Sequence, residues 1–298
     1  MEPNMHSSRY KTHYYTVAQH TFAVNVSESE KGISFSSYEP FAVDSAEKLL
    51  FALTIDDSSY PSKKGEFIGD FDCGAADFGV YRLEDGAYQM LISPPGGAYC
   101  ALLQASADFT EGVLATRGEE SLRTFAVNNA LMLMYAFASA EMGTLLVHAS
   151  VVKNSEKGFL FLGKSGTGKS THSSLWIKYI EGSVLLNDDN PVVRIDESGA
   201  TVYGSPWSGK TPCYKNDSAR VGAFVQIKQE PENHISRNRP LQAFALLLPA
   251  MSTMKWDKRV YDGVYNSVNG LVKSVPLYTL GCRPDQEAAE VCHAEVMR

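Results

Sequence analysis

Cysteine is scarce in this chain of 298 residues, and the little there is lies scattered. The five residues Cys73, Cys100, Cys213, Cys282 and Cys292 are odd in number and form no C-x-x-C pair, which argues against both a disulfide framework and a zinc site. A reducing, cytoplasmic setting is the expectation. Long apolar runs are lacking too. The greasiest stretch, Ala130 to Ala140, falls well short of the ~20 residues that cross a bilayer, so no membrane partner is expected. Met1 to Tyr15 is polar and aromatic without an apolar segment, so no secretory signal is expected either. Cations are in deficit: 27 Lys and Arg face 34 Asp and Glu, for a formal charge of −7. Nucleic-acid binding draws on a surplus of Lys and Arg, so that partner is set aside. Nucleotide binding escapes the argument, because a few local cations and backbone amides suffice for it.

What is present is ample material for a core. Hydrophobic residues make up 44% and charged residues 20%, an ordinary globular balance. The length fits one large domain or two smaller ones. From residue 13 to about 115 the chain reads as β-rich, with Tyr15 to Ala18, Thr21 to Val26, Leu49 to Ile55 and Ala98 to Gln104 as strands and Asp56 to Gly65 as a turn-rich segment. Phe78 to Leu83 and Ala87 to Ile92 flank Glu84-Asp85-Gly86, where an Asp-Gly step predicts a hairpin. The texture changes at Arg117-Gly118. Leu122, Phe125, Ala126, Leu133, Phe137 and Ala140 then recur at helical spacing over Ser121 to Met142. A boundary is placed there, giving a β-rich domain over 1–117 and a second domain over 118–298 that includes this helix. The second half alternates strands and helices, with strands at Thr144 to Val152, Gly158 to Leu162, Ser183 to Asn187, Val192 to Ile195, Thr201 to Gly204, Arg220 to Gln229 and Leu277 to Leu280. Helices follow the loop at 163–170 and span Pro240 to Leu248, Met254 to Val272 and Pro284 to Val296. The fold class is therefore α/β in the second half and α+β overall.

Gly163-Lys164-Ser165-Gly166-Thr167-Gly168-Lys169-Ser170 matches the phosphate-loop pattern G-x-x-x-x-G-K-[ST] without deviation. Glycines let the backbone turn its amides into an anion nest, and the helix that follows adds its positive end. Lys169 suits the β and γ phosphates as a point charge, and the Ser170 hydroxyl suits Mg²⁺. The apolar strand Phe159 to Leu162 before the loop and the helix from Thr171 after it supply the context that the motif needs. Asp188 and Asp189 close the next strand, eighteen residues past Ser170. Mg²⁺ favours carboxylate oxygens and water, so one Asp is a metal ligand or stands just behind one. The other would accept the proton of an attacking hydroxyl. A plain polar turn at Asp-Asn-Pro is the competing reading.

His148 to Val152, Gly163 to Thr171, Asp188-Asp189 and Gly204-Ser205-Pro206-Trp207 together resemble the HPr kinase/phosphorylase-related family, itself similar to the core of phosphoenolpyruvate carboxykinase. The resemblance covers residues 120 to 297 approximately. It implies a P-loop domain that carries ATP and Mg²⁺, with the nucleotide on Gly163, Lys164, Ser165, Gly166, Thr167, Gly168, Lys169, Ser170 and Thr171. It places Ser170 and Asp188 at the metal and gives catalytic roles to Asp189, Asp188, Lys169 and His148, with the base left open between the two carboxylates. His148 would face the phosphates or the acid pair. The implied activity is transfer of the γ-phosphoryl group to a hydroxyl of a protein or small-molecule acceptor; the sequence leaves a homo-oligomer open. The alternatives are a nucleotide-binding regulatory or assembly module without turnover, and a carboxykinase-like enzyme acting on a small acid. Lys210, Arg220, Arg237 and Arg239 are candidates for a further cation at the transferring phosphoryl group, although surface Lys and Arg are the default. Trp176 reads as core and His172 as a helix-surface residue, while Asp217, Asp257 and Asp285 read as ordinary surface acids.

Overall fold

The computed structural model describes residues 10–27, 32–59, 65–72, 76–209 and 211–298. Cys73, Lys210, residues 1–9 of the N-terminal stretch and residues 60–64 of the turn-rich segment lie outside the described residues. The chain is a mixed α/β protein, rich in sheet and with few helices, and it divides into two compact units, Met1–Ala138 and Ser139–Arg298. Among the described residues no helix is long and apolar enough to cross a membrane.

In the first unit, β1 (Tyr10–Val17), β2 (His20–Ser27), β3 (Ala42–Val43), β4 (Ala52–Ile55), β5 (Glu66–Asp72), β6 (Asp77–Arg82), β7 (Tyr88–Ser93), β8 (Ala101–Ala105) and β9 (Glu111–Thr116) form one sheet. Its order is β3-β1-β2-β4-β9-β8-β7-β6-β5, with β4 parallel to both neighbours and the other pairs antiparallel. The hairpin at Glu84-Asp85-Gly86 is present. Gly86 takes φ 86°, and the Asp85 carboxylate accepts the Ala87 N–H at 3.0 Å. β3, β5 and β9 have no counterpart among the strands read from sequence.

Helix α1 (Glu120–Ala138) corrects the expected boundary at residue 117. It packs on β7, β8 and β9 and belongs to the first unit. Tyr135, fully buried, donates its hydroxyl to the Val17 carbonyl at 3.0 Å. Phe137 sets its ring edge-on to Phe109 at 5.1 Å. At Gly112 on β9 an added Cβ would stand 3.0 Å from both Met134 Cε and Leu53 Cδ1, so a side chain there would press on the ends of both. The change of texture at residue 117 marks a change of secondary structure, while the apolar face it introduces is spent on the strands that precede it.

The second unit holds β10 (Thr144–Leu146), β11 (Ala149–Asn154), β12 (Lys157–Leu162), β13 (Val184–Asp189), β14 (Val192–Asp196), β15 (Gly199–Tyr203), β16 (Ser218–Gln229), β17 (His234–Arg237) and β18 (Leu277–Cys282). Its helices are α2 (Lys169–Tyr179), α3 (Pro240–Leu247), α4 (Lys258–Ser274) and α5 (Gln286–Val296). The strand order is β10-β14-β15-β16-β12-β11-β13, and β18 pairs with both β16 and β17. Only β12/β16 and β16/β18 are parallel; the rest of the sheet is antiparallel. α2 packs against α5, over a core that includes Phe159, Phe161, Trp176, Val225, Leu280, Ala288 and Cys292. Full burial of each large apolar side chain there contributes about 1.5–3 kcal/mol.

One pairing positions the site. β11 runs antiparallel between β12 and β13, so its first residue stands where both neighbours end. Ala149 lies opposite Leu162 on one side and Asp189 on the other. The strand expected over Thr144 to Val152 is broken just before this point. Val147 bridges to Met251 and the His148 N–H donates to the Ala250 carbonyl at 2.7 Å. The break frees His148 from the ladder at the mouth of the glycine-rich loop that follows Leu162.

Candidate nucleotide-binding site

The loop is launched by four residues of β12, Phe159 to Leu162, each with no exposed surface. It turns by way of Gly163 at φ 153°, Gly166 at φ 80° and Gly168 at φ 108°. An added Cβ at Gly166 or Gly168 would meet nothing within 4 Å, so these two positions need glycine for its backbone freedom and not for space. Gly168 caps α2 in the left-handed conformation, which leaves the first amides of that helix turned to the loop. Thr167 closes the turn, donating both its N–H, at 3.1 Å, and its hydroxyl, at 2.7 Å, to the Lys164 carbonyl. Gln229, at the end of the neighbouring β16, donates to the Thr167 and Gly166 carbonyls at 3.3 and 3.5 Å. Lys164, Ser165, Gly166, Ser170 and Thr171 are exposed along the open side of the loop.

Lys169, first residue of α2, folds back over the loop. Its ammonium donates to the Gly163 carbonyl at 2.9 Å and lies 2.9 Å from His148 Nε2. An ammonium has only donors, so Nε2 is the acceptor, and Nδ1 carries the hydrogen that points at Asp189 Oδ1, 3.1 Å away. Partial burial lowers the pKa of Lys169, and the nearby Asp189 and Asp188 carboxylates oppose that shift. Asp188, 4% exposed, accepts the Ser170 hydroxyl at 2.9 Å. Asp189 lies at φ 145°, a left-handed backbone unusual for a residue with a Cβ. The segment 204–209 lies across this pair. The Asp188 carbonyl accepts the Gly209 N–H at 2.5 Å and the Ser208 hydroxyl at 3.2 Å, and Asp189 bridges to Ser208. At Gly209 a Cβ would come within 3.1 Å of both the Asp188 oxygen and Asp189 Cβ.

Lys169, Ser170, Asp188, Asp189 and His148 are therefore gathered at one loop. The further cations named from sequence are not. Arg220 sits opposite Lys157, at the start of β12, whereas the loop leaves the far end of that strand. Six residues at ~3.3 Å each put Arg220 about 20 Å from the loop, where it holds Ser198 instead. Arg237 and Arg239 are exposed, and β17 runs back along β18 away from the loop end. Lys210 falls outside the described residues. Among the acids, Asp217 pairs with Lys153 through both oxygens at 3.0 Å. Asp257 and Asp285 cap α4 and α5, accepting the Val260 and Ala288 amides at 2.9 and 3.0 Å.

His172 departs from its expected surface position. It is 2% exposed, edge-on to Phe161 at 4.7 Å, and its Nε2 accepts the Trp176 indole N–H at 3.1 Å. α5 covers the side of α2 that a lone surface helix would leave open, with His293 against Trp176 at 5.3 Å. Burial holds the His172 pKa down at about 4. Gln229 and Ser208 were not singled out by sequence; each is a common polar residue whose role comes only from its strand partner or loop path.

Among the described residues no three His, Cys, Asp or Glu side chains gather as a ready metal cage. The oxygens of Ser170 and Asp188 do stand together, the hard donors that Mg²⁺ takes alongside water and phosphate. No family model matches this chain, and no curated protein matches it in sequence.

Proposed function

We propose that the protein is an ATP- and Mg²⁺-dependent phosphotransferase of the HPr-kinase-like type, moving the γ-phosphoryl group to a hydroxyl of a protein or small molecule. The observation that carries the reading is the double link of the acid pair to the loop: Asp188 to Ser170, and Asp189 through His148 to Lys169. A loop that only holds phosphate needs Lys169 and the backbone nest. A second carboxylate, tied to a histidine beside that lysine, is the equipment for removing a proton from an acceptor.

In this reading Ser170 and Asp188 hold Mg²⁺, which neutralises charge on the phosphate oxygens when bound. Lys169 leaves His148 and the Gly163 carbonyl for the phosphates. Asp189 accepts the acceptor's hydroxyl proton as the new O–P bond forms and the bond to the bridging oxygen breaks, with ADP as the leaving group. His148, released by Lys169, keeps its hydrogen bond to Asp189 and steadies the carboxylate beside the transferring group. Positioning and electrostatics supply most of the acceleration. The placement of Arg220, Arg237 and Arg239 disfavours a carboxykinase-like reaction, which would need cations to clamp the substrate acid.

The test is incubation with γ-labelled ATP, Mg²⁺ and cell extract, with proteins and metabolites then resolved. Label should move to an acceptor, and Asp189→Asn should slow the transfer by about 10²–10⁴-fold. Tight nucleotide binding with no transfer in any extract would sink the proposal in favour of a binding module.

A further inference from the structure

We propose that Asn187 and Ser205 are positioning residues, whose buried hydrogen bonds hold Asp189 in its left-handed conformation and so keep both carboxylates turned to the phosphate loop. The consequence for turnover rests on the phosphotransferase reading; the geometry does not.

Along a regular strand, consecutive side chains face opposite ways. Asp188 and Asp189 would then be split between the two faces of the sheet, and Asn187 would share the side of Asp189. Both carboxylates nonetheless reach the loop, Asp189 by way of His148. Asn187 turns to the segment 204–209, Asp188 meets Ser170, and Asp189 meets His148. The backbone leaves ordinary strand geometry at Asp189 itself, with φ at 145°. Such a conformation is unfavourable for a residue bearing a Cβ and persists only where the surroundings impose it.

The surroundings do so from both sides. Asn187 has no exposed surface. Its Nδ2 donates to Ser205 Oγ at 3.1 Å, with the Trp207 and Ser205 carbonyls at 3.4 and 3.5 Å, and its Oδ1 accepts the Asn190 N–H at 3.1 Å. Ser205, equally buried, donates its single hydroxyl hydrogen to the Asn190 carbonyl at 2.6 Å and accepts the Trp207 N–H at 3.2 Å. The residue after Asp189 is thus pinned at both its amide and its carbonyl. The residue before it is pinned at its carbonyl by Gly209 and Ser208. Rotation of Asp189 to an ordinary negative φ would have to swing one of these anchored neighbours and strip a buried polar group of its partner.

The experiment uses the full chain and two variants. Ser205→Ala removes the hydroxyl that reaches Asn190 with the smallest change of volume, and Asn187→Leu removes the amide. Crystal structures and ATP kinetics are compared with wild type. In Ser205→Ala, Asp189 should relax to negative φ and leave His148; kcat should fall about 10–100-fold, while KM for ATP stays within about twofold because the loop is untouched. A general loss of packing would not separate kcat from KM in this way. Should Asn187→Leu fail to fold, Ser205→Ala alone decides. The inference is overturned if Asp189 keeps its positive φ and its contact with His148 in Ser205→Ala, or if kcat matches wild type. A wild-type protein that binds nucleotide and transfers nothing defeats the phosphotransferase reading alone, and the conformation of Asp189 in the variant then settles this inference.

Discussion

Acidification should withdraw a stabilisation of the second unit that depends on His172 staying neutral. The ring is 2% exposed, and its Nε2 serves as acceptor for the Trp176 indole, a group that can only donate. A proton added at Nε2 would therefore displace that hydrogen bond and place a charge in the core. The folded pKa of about 4 stands below the ordinary 6.5, so the unfolded chain takes up the proton first. Stability from this group is complete above pH 6.5, declines as pH falls towards 4, and changes no further below that. At about 1.4 kcal/mol per unit the gap corresponds to about 3 kcal/mol. Carboxylates also titrate near the lower end of this window, so the control is His172→Gln, which keeps an acceptor for the indole and does not titrate. Urea unfolding followed by tryptophan fluorescence is the suitable assay, because Trp176, Trp207 and Trp256 all belong to the second unit. Between pH 7 and 4 the wild type should lose about 3 kcal/mol more than the variant. Parallel curves for the two proteins would refute the burial argument, since they would mean that His172 protonates as readily in the fold as out of it.

Lys169→Ala should weaken nucleotide binding by about 10–100-fold, the loss of charge-assisted bonds worth about 1.5–3 kcal/mol, as read by titration with a fluorescent ATP analogue. Gly166→Ala should cost about 1–2 kcal/mol from the left-handed backbone alone, since an added Cβ meets nothing within 4 Å; the same titration and a thermal melt measure it. A fragment covering 1–138 should unfold cooperatively by circular dichroism. One ending at residue 117, which lacks Tyr135 and Phe137, should not, and equal behaviour of the two fragments would contradict the assignment of α1 to the first unit.

The glycine-rich turn between β12 and α2 was legible because its backbone leaves little freedom: positive φ at Gly163, Gly166 and Gly168 calls for glycine. The acid pair was legible from its place at the end of the next strand. The break before His148 was not, because Val147 and His148 are held by Met251 and Ala250, partners more than a hundred residues away. His172 was misread for a similar reason: the cover over its side of α2 comes from α5, near the other end of the chain. The strain at Asp189 has no sequence signature, since an aspartate in an ordinary turn looks the same. Asn187 and Ser205 hide among commonplace polar residues until the loop that joins them is seen. Arg220 needed only the parallel register of β12 and β16 to be removed from the site.

The antiparallel run β12-β11-β13 also bears on the order in which the molecule assembles. His148, the phosphate loop and the acid pair all fall on one continuous stretch, 148–189, joined by a tight turn at Ser155-Glu156 and by α2. Its pairings join residues nearer in sequence than the parallel pairs do, and the entropy lost in closing them is somewhat smaller. The parallel partners β16 and β18 must instead be recruited across long intervening segments. The half of the sheet that carries the candidate site can thus nucleate as a local unit, with Gln229 and the segment that packs across Asp189 arriving later to fasten a loop already drawn in outline.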